Sequence, residues 1–371
     1  MKTSIKLLAL LGVVTFFGCE KKEEAPKKPK NVILLISDGT GLSQISSAYF
    51  FKNEEPNYSR FENIGFIKTS SSKEDVTDSA AGATAFASGV KTYNGAVGVN
   101  SDSISVPTIV ELVQDRGVRT GVVATSSIQH ATPAAFYGHQ VSRRYYEKLS
   151  QDLYNSDIDY FAGGGLRFFT KRKDSVDLYK KMEDKGFYMN TEALTNYDQI
   201  KDKSKAGFLL AETAMPKMQE NRGDFLPKAT QLGIDFLNND KGFFIMVEGS
   251  QIDWGGHAND GPYAVAELID FDNAIGKALD FAKKDGNTLV VVTSDHETGG
   301  FTLASTTKKD ENGKEYSDYS EVDITFSTGG HSATLIPVFA YGPGAEEFKG
   351  IYENNDIFHK IMEVTGWKAK K

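Results

Sequence analysis

The chain has a single cysteine, Cys19, and six histidines in 371 residues. One thiol cannot build a disulfide framework or a thiolate metal site, so any metal would have to be held by His, Asp, Glu or hydroxyl groups. Basic residues are in deficit, and the formal charge of −8 argues against a nucleic-acid partner, which needs a basic face to displace counterions. Any bound anion must therefore be drawn by local charge. Neither GxGxxG nor GxxxxGKS/T occurs. The three glycines at 163–165, within DIDYFAGGGLRFF (157–169), read as the turn of a strand, turn and return rather than as a phosphate cradle. No internal repeat or second domain boundary is evident, and the length suits one large α/β domain with a sizeable core.

The N-terminus carries its own signals. Residues 1–18 hold Lys2, Lys6 and a short apolar run that cannot span a bilayer, the pattern of a secretory signal. Gly18 before Cys19 resembles a bacterial lipoprotein processing site, at which Cys19 becomes the lipidated first residue. The charged, proline-containing stretch through residue 30 reads as a solvated tether. The expected organisation is a signal peptide over 1–18, a tether over 19–30 and one domain over 31–371. The expected location is the periplasm or cell envelope, with a lipid anchor in a bacterial membrane.

From Asn31 onward, continuous apolar runs recur: NVILLIS (31–37), VRTGVVATSS (118–127), KGFFIMVEGSQID (241–253), NTLVVVTSDHETGG (287–300) and TLIPVFAYGPG (334–344). Such runs fit strands buried on both faces. Helical patterns lie between them, at 106–117 and 261–286, and further helical stretches are expected near 174–186 and 208–221. Residues 305–327, charged and rich in Tyr, read as a hairpin or surface loop. Strands alternating with helices predict an α/β three-layer sandwich with a large, mostly parallel central sheet. Ligands in such sheets gather beyond the carboxyl ends of the strands, where several of these runs close in polar clusters.

Two clusters carry chemistry. In EDVTDSAAGATAFASG, Asp78 is a suitable N-cap and small residues follow it, so Ser79 falls in the first turn of a narrow helix. Free N–H groups and the helix dipole favour an anion there. A serine still needs a base or a metal to become a nucleophile, and no Ser-His-Asp partner is apparent. The second cluster supplies metal ligands. His257, His296 and His331 each stand beside carboxylates or glycines, and with Asp38, Glu248, Asp253 and Asp295 they form a pool of mixed N and O donors. Asp253 and His257, four apart, could converge on one ion by a bend at Gly255-Gly256. Two divalent ions roughly 4 Å apart suit in-line phosphoryl displacement.

Taken in order, SDG, TDSAAGATA, QHATPAA followed by SRR, VEGSQIDWGGH, SDHETGG and a late GGH resemble the alkaline phosphatase family from about Asn31 to Gly344. The resemblance implies hydrolysis of phosphate monoesters through a phosphoserine, in a protein that is usually a homodimer. It implies one zinc ion on Asp253, His257 and His331, and a second on Asp38, Asp295, His296 and the Ser79 oxygen. A third ion, normally magnesium, would take Glu248, Thr132 and a shared oxygen of Asp38. Ser79 is the implied nucleophile and Arg143 the phosphate clamp. Asp78, His130 and Trp254 fall in the surrounding shell. His130 and Trp254 stand where some members have Asp and Lys or His; His130 leaves the third ion open among magnesium, zinc, cobalt and manganese, and Trp254 removes one possible cationic contact to phosphate. The competing readings are a phosphodiesterase or sulfatase-like hydrolase on the same bimetal core, and a non-catalytic lipoprotein that binds metal or phosphate.

Overall fold

The computed structural model describes residues 27–367. The signal peptide and Cys19 lie outside the described residues, as does most of the tether. Its last residues are anchored rather than solvated: Pro29 is buried, and the Lys30 amide donates to the Asn287 carbonyl at 2.7 Å.

Ten strands form the main sheet: β1 (Asn31–Ser37), β2 (Asn63–Lys68), β3 (Arg119–Ser127), β4 (Tyr160–Gly164), β5 (Phe187–Asn190), β6 (Lys205–Leu209), β7 (Phe243–Gly249), β8 (Thr288–Thr293), β13 (Ile336–Tyr341) and β14 (Gly350–Glu353). Their order is β14-β2-β13-β8-β1-β7-β3-β4-β6-β5. Between β8 and β13 the chain adds β9 (Glu297–Thr298), which pairs with β12 (His331–Ser332), and a hairpin of β10 (Phe301–Lys309) and β11 (Glu315–Phe326). The hairpin accounts for the charged 305–327 segment.

β1 lies between β7 and β8, parallel to both, with Ile36 opposite Glu248 on one side and Thr293 on the other. Its alternate side chains enter two cores. Val32, Leu34 and Ile36 join Ala80, Ala83 and Phe86 of the helix Ser79–Ser88, while Ile33 and Leu35 join Phe271, Ile275 and Leu279 of the helix Gly261–Asp285. This double burial is why the strand reads as an unbroken apolar run. Both helices have clear stops. Asp78 caps Ala81 N–H and Asp260 caps Tyr263 N–H, while Gly89 and Gly286 end them in the left-handed conformation.

Two local expectations change, and one strand runs against its neighbours. β13, with a run as apolar as the others, is antiparallel to both β8 and β2; burial on two faces produces the same pattern in either direction. The 157–169 segment does not return as a strand. After β4 the chain enters a short helix, Arg167–Thr170, because Gly164 packs where an added Cβ would lie 1.9 Å from the Thr213 carbonyl. Residues 208–221 are not helical: β6 ends at Leu209 and only a 3₁₀ turn, Met218–Glu220, follows Pro216.

Among the described residues no helix is long and apolar enough to cross a membrane. The helix Leu42–Phe51 leaves Leu42, Tyr49, Phe50 and Phe51 exposed on its outer side.

Candidate metal centre and active site

Three neighbouring strand ends converge on one place. Asp38 follows β1, Glu248 is the penultimate residue of β7, and Asp295 and His296 follow β8. The helix Gln251–His257 starts just after β7 and carries Asp253 and His257 at i and i+4. Their convergence therefore comes from helical spacing and not from a bend at Gly255-Gly256. The helix Ser79–Ser88 approaches from the other side. Gly82 permits this, since a Cβ there would lie 2.9 Å from the Asp295 Cβ.

One group comprises Asp253, His257 and His331. His257 Nδ1 sits 2.8 Å from the Gly329 carbonyl and His331 Nδ1 2.8 Å from the Thr77 carbonyl. A carbonyl only accepts, so each Nδ1 carries a proton and each ring turns its Nε2 inward. The two Nε2 atoms are 3.1 Å apart, with Asp253 Oδ1 at 3.5 and 3.7 Å from them. Two imidazole nitrogens and a carboxylate oxygen thus converge on one point, a donor set that fits a cation. Burial first, then the nearby His296 ring, lowers the His331 pKa and keeps that ring neutral.

His296 is oriented by a side chain. Thr298 Oγ1 donates to Asp253 Oδ1 at 2.5 Å, which leaves it to accept from His296 Nδ1 at 3.2 Å. His296 Nε2 then faces Asp295 Oδ2 at 3.4 Å, Asp38 Oδ1 at 3.7 Å and Ser79 Oγ at 3.3 Å. The His296 and His331 rings stack at 3.6 Å, so the two groups are adjacent. Asp253 also lies within reach of Asp38 and His296, whereas the resemblance assigned it to the first group alone. A further group joins Asp38, Glu248 and His130. The buried Thr132 hydroxyl stands beside Glu248 and works against the rise of its pKa.

The buried oxygens give the test of fit. Both Asp38 oxygens, Asp295 Oδ2 and Glu248 Oε1 have no hydrogen-bond partner, and buried carboxylates in that state are costly unless protonated or paired with a cation. Burial, then the charges of Asp295, Asp253 and Glu248, raises the Asp38 pKa well above the carboxylate range. Burial is also the main cause that pushes Glu248 up to about 7, even though the Ser250 and Ser126 hydroxyls bond its Oε2. These donors fit mixed N/O metal sites.

Arg143 completes the site. Its Nη1 donates to Asp78 Oδ2 at 3.0 Å, and Nη2 lies 3.2 Å from His130 Nε2. Burial would weaken the guanidinium charge, but Asp78 outweighs it. Burial, then the charge of Arg143, lowers His130 to about 3, so its ring is neutral. Trp254 meets the His130 ring edge to face at 5.9 Å. The His257 side chain is 42% exposed, which marks the side open to solvent.

Sequence reading missed four supporting groups. Thr298 orients His296. The backbone carbonyls of Thr77 and Gly329 orient the other two imidazoles. Glu297 accepts from Gln44 Nε2 at 2.8 Å, from the Phe301 amide at 3.0 Å and from the Ser332 hydroxyl, which fixes β12 and hence His331. Glu297 and Thr298 lie inside SDHETGG, so a signal was present for both. The two carbonyls leave none.

This geometry has close counterparts. The family model described as Alkaline phosphatase matches residues 29–309 and 304–366. The chain belongs to the alkaline phosphatase family. It is 34% identical to Alkaline phosphatase 3 of Bacillus subtilis, over 95% of this chain and 92% of that one. Against Alkaline phosphatase of Escherichia coli the identity is 31%, over 92% and 87%. Among solved structures it is similar to a histidine-to-aspartate variant of the alkaline phosphatase from the Antarctic bacterium TAB5, with Mg bound in the M3 site. That likeness is 63% identity at a TM-score of 0.91, over 93% of this chain and all of the other. This alkaline phosphatase is thus a phosphomonoesterase built on a large, mostly parallel sheet, and its candidate metal groups suit a bimetal site.

A pH dependence follows from the raised carboxylates. A group whose folded pKa is raised contributes stability below its unfolded pKa and loses it as pH rises through the folded one. Metal-stripped alkaline phosphatase is therefore expected to become less stable between pH 5.5 and pH 8, through the titration of Glu248 near 7. Added zinc and magnesium are expected to reverse the loss. Urea midpoints at both pH values, with and without metals, measure this.

Proposed function

We propose that the protein hydrolyses phosphate monoesters in two displacements, through a phosphoserine at Ser79, with two zinc ions and one magnesium ion as resident cofactors. The observation that carries this reading is the place of Ser79 Oγ, in the first turn of a helix and 3.3 Å from the inward nitrogen of His296. Asp253, His257 and His331 would hold one zinc. Asp38, Asp295 and His296, with the Ser79 oxygen, would hold the other. Glu248, Thr132 and an oxygen of Asp38 would take the third ion, with His130 beside them and Trp254 packing that ring. When bound, such ions supply Lewis acidity, which favours ionised hydroxyl and water and offsets charge on phosphoryl oxygens.

The chain's own groups do the rest. Helix N–H groups and dipole favour the ionised Ser79 oxygen. Its attack in line forms the Ser79 O–P bond as the bond to the departing alkoxide breaks. Arg143 grips two non-bridging oxygens in a bidentate hold, while Asp78 keeps the guanidinium in place. Neutral His130 adds no competing charge as Nη2 shifts to the phosphate. Water then cleaves the phosphoserine, releasing phosphate and restoring the Ser79 hydroxyl. The Arg143 clamp suits the dianion of a monoester better than a diester.

The reading extends to location and assembly. The leader and Cys19 make this an exported, lipid-anchored protein of the bacterial periplasm or envelope. The exposed Leu42, Tyr49, Phe50 and Phe51 provide the centre of a homodimer interface, since exposed apolar groupings of this kind mark contact sites.

Three outcomes are expected. Ser79→Ala lowers kcat on an aryl phosphate by roughly 10³-fold or more and abolishes acid-trapped phosphoserine; near-normal turnover would remove Ser79 as nucleophile. His130→Asp replaces a nitrogen donor with a harder oxygen, so magnesium binds about 10–100-fold tighter to zinc-loaded protein by calorimetry. An unchanged affinity would exclude His130 from the third site. Phe50→Glu shifts the protein from dimer to monomer in light scattering, and a monomeric wild type would dismiss the interface.

A further inference from the structure

Beside the clamp, and outside the metal groups, lies a groove of about 470 Å³ between residues 144–148 and 167–173. Arg144, Lys148, Arg167, Lys171 and Lys173 line it, against one carboxylate, Glu147. In a chain of formal charge −8 this is a local inversion of sign. Glu147 offsets only one of the five positive charges, and its Oε1 accepts from the Lys173 backbone amide at 3.2 Å. Of the five cations only Lys171 is ion-paired, with the exposed Glu212 at 2.8 Å. Among the described residues no carboxylate pairs the other four. Lys148 Nζ instead lies over the Tyr145 ring at 4.5 Å, and the Arg167 guanidinium faces Phe168 at 5.8 Å.

The groove also has a flat apolar wall. The Tyr146 and Phe168 rings stack at 4.7 Å with 10° between their planes. It borders the segment that carries the clamp. Arg143 and Arg144 are consecutive, and the turn that carries them is fixed by the Arg143 amide donating to the Gly95 carbonyl at 2.7 Å and by the Tyr145 amide donating to the Ser142 carbonyl at 3.1 Å. One guanidinium is thereby committed to Asp78 and the other lines the groove. Tyr146 stands within electrostatic reach of Arg143.

We infer that this groove is a leaving-group subsite for phosphate monoesters that carry a second phosphate: Arg143 takes the scissile group, the cations of the groove take the distal one, and the ring wall takes the carbon skeleton between them. The inference rests on the phosphatase reading of the metal centre and narrows its substrate class. Unpaired cations at a groove concentrate a polyanion by field as well as by contact, so the effect falls with ionic strength.

The test uses the zinc- and magnesium-loaded full-length protein and a matched pair of substrates, hexane-1,6-diol bisphosphate and hexyl phosphate. At low salt the bisphosphate is expected to show a KM about ten-fold lower, at similar kcat. The advantage is expected to disappear in about 0.5 M NaCl and in Lys148→Gln/Arg167→Gln, while p-nitrophenyl phosphate, which has no second anion, keeps its rate in the variant. Equal KM values for the pair in the wild type, or a parallel loss on all three substrates in the variant, would overturn the subsite. Calorimetry with hexane-1,6-bisphosphonate against hexylphosphonate decides the same point without turnover. Tighter binding of the bisphosphonate by wild type alone supports the subsite, and equal binding overturns it. Absence of p-nitrophenyl phosphate hydrolysis would instead reject the phosphatase reading, leaving the groove to be judged by calorimetry.

Discussion

Asp38, Asp253, Asp295 and Glu248 stand close together inside the protein, and the mutual repulsion of their carboxylates is the constraint to which the rest of the structure answers. Four such groups would not gather by their own energetics. They are held because three adjacent parallel strands, each buried on both faces, deliver Asp38, Glu248 and Asp295 to one edge of the sheet, and the helix that follows β7 adds Asp253. The apolar cores on either side supply the stability that the site consumes. What the site retains is a strong preference for positive charge at a fixed point.

The imidazoles convert that preference into geometry. Two are anchored through Nδ1 to backbone carbonyls and the third through Thr298. All three therefore direct Nε2 inward before anything binds. The anchors belong to segments far apart in sequence, the loop before the Ser79 helix, the turn before β12, and β9. Glu297 ties the last two together through Ser332. Arg143 is handled by the same logic, since Asp78 both caps the Ser79 helix and seats the guanidinium. The Ser79 helix and Arg143 consequently share one positioning carboxylate.

Much of this was legible in the sequence, for a physical reason. Strands buried on both faces write long apolar runs, and groups placed at their carboxyl ends follow those runs directly, as Asp38, Glu248 and Asp295 do. The ligands also sit in short motifs whose order is distinctive. What stayed hidden depends on direction or on backbone. β13 reads the same whichever way it runs. The glycines of DWGGH suggested a bend, yet packing against the helix Gly261–Asp285 keeps the segment helical, with Gly255 close against Ala264. In 170–230 short elements end at Pro, Gly and Asn, and local propensity did not separate β6 from a helix. The Thr77 and Gly329 carbonyls carry no side-chain signature at all.

The placement of β1 bears on the order in which the molecule can assemble. It is the first strand in the chain, yet both its neighbours, β7 and β8, come more than two hundred residues later. Until Thr293 is available, this fully buried strand has no complete set of hydrogen-bonding partners, and the pairing must close very long loops. Asp38 accordingly waits at the end of an unpaired strand while most of the polypeptide is made. The candidate ligands thus come together only through contacts of very long sequence separation, from Asp38 to His331.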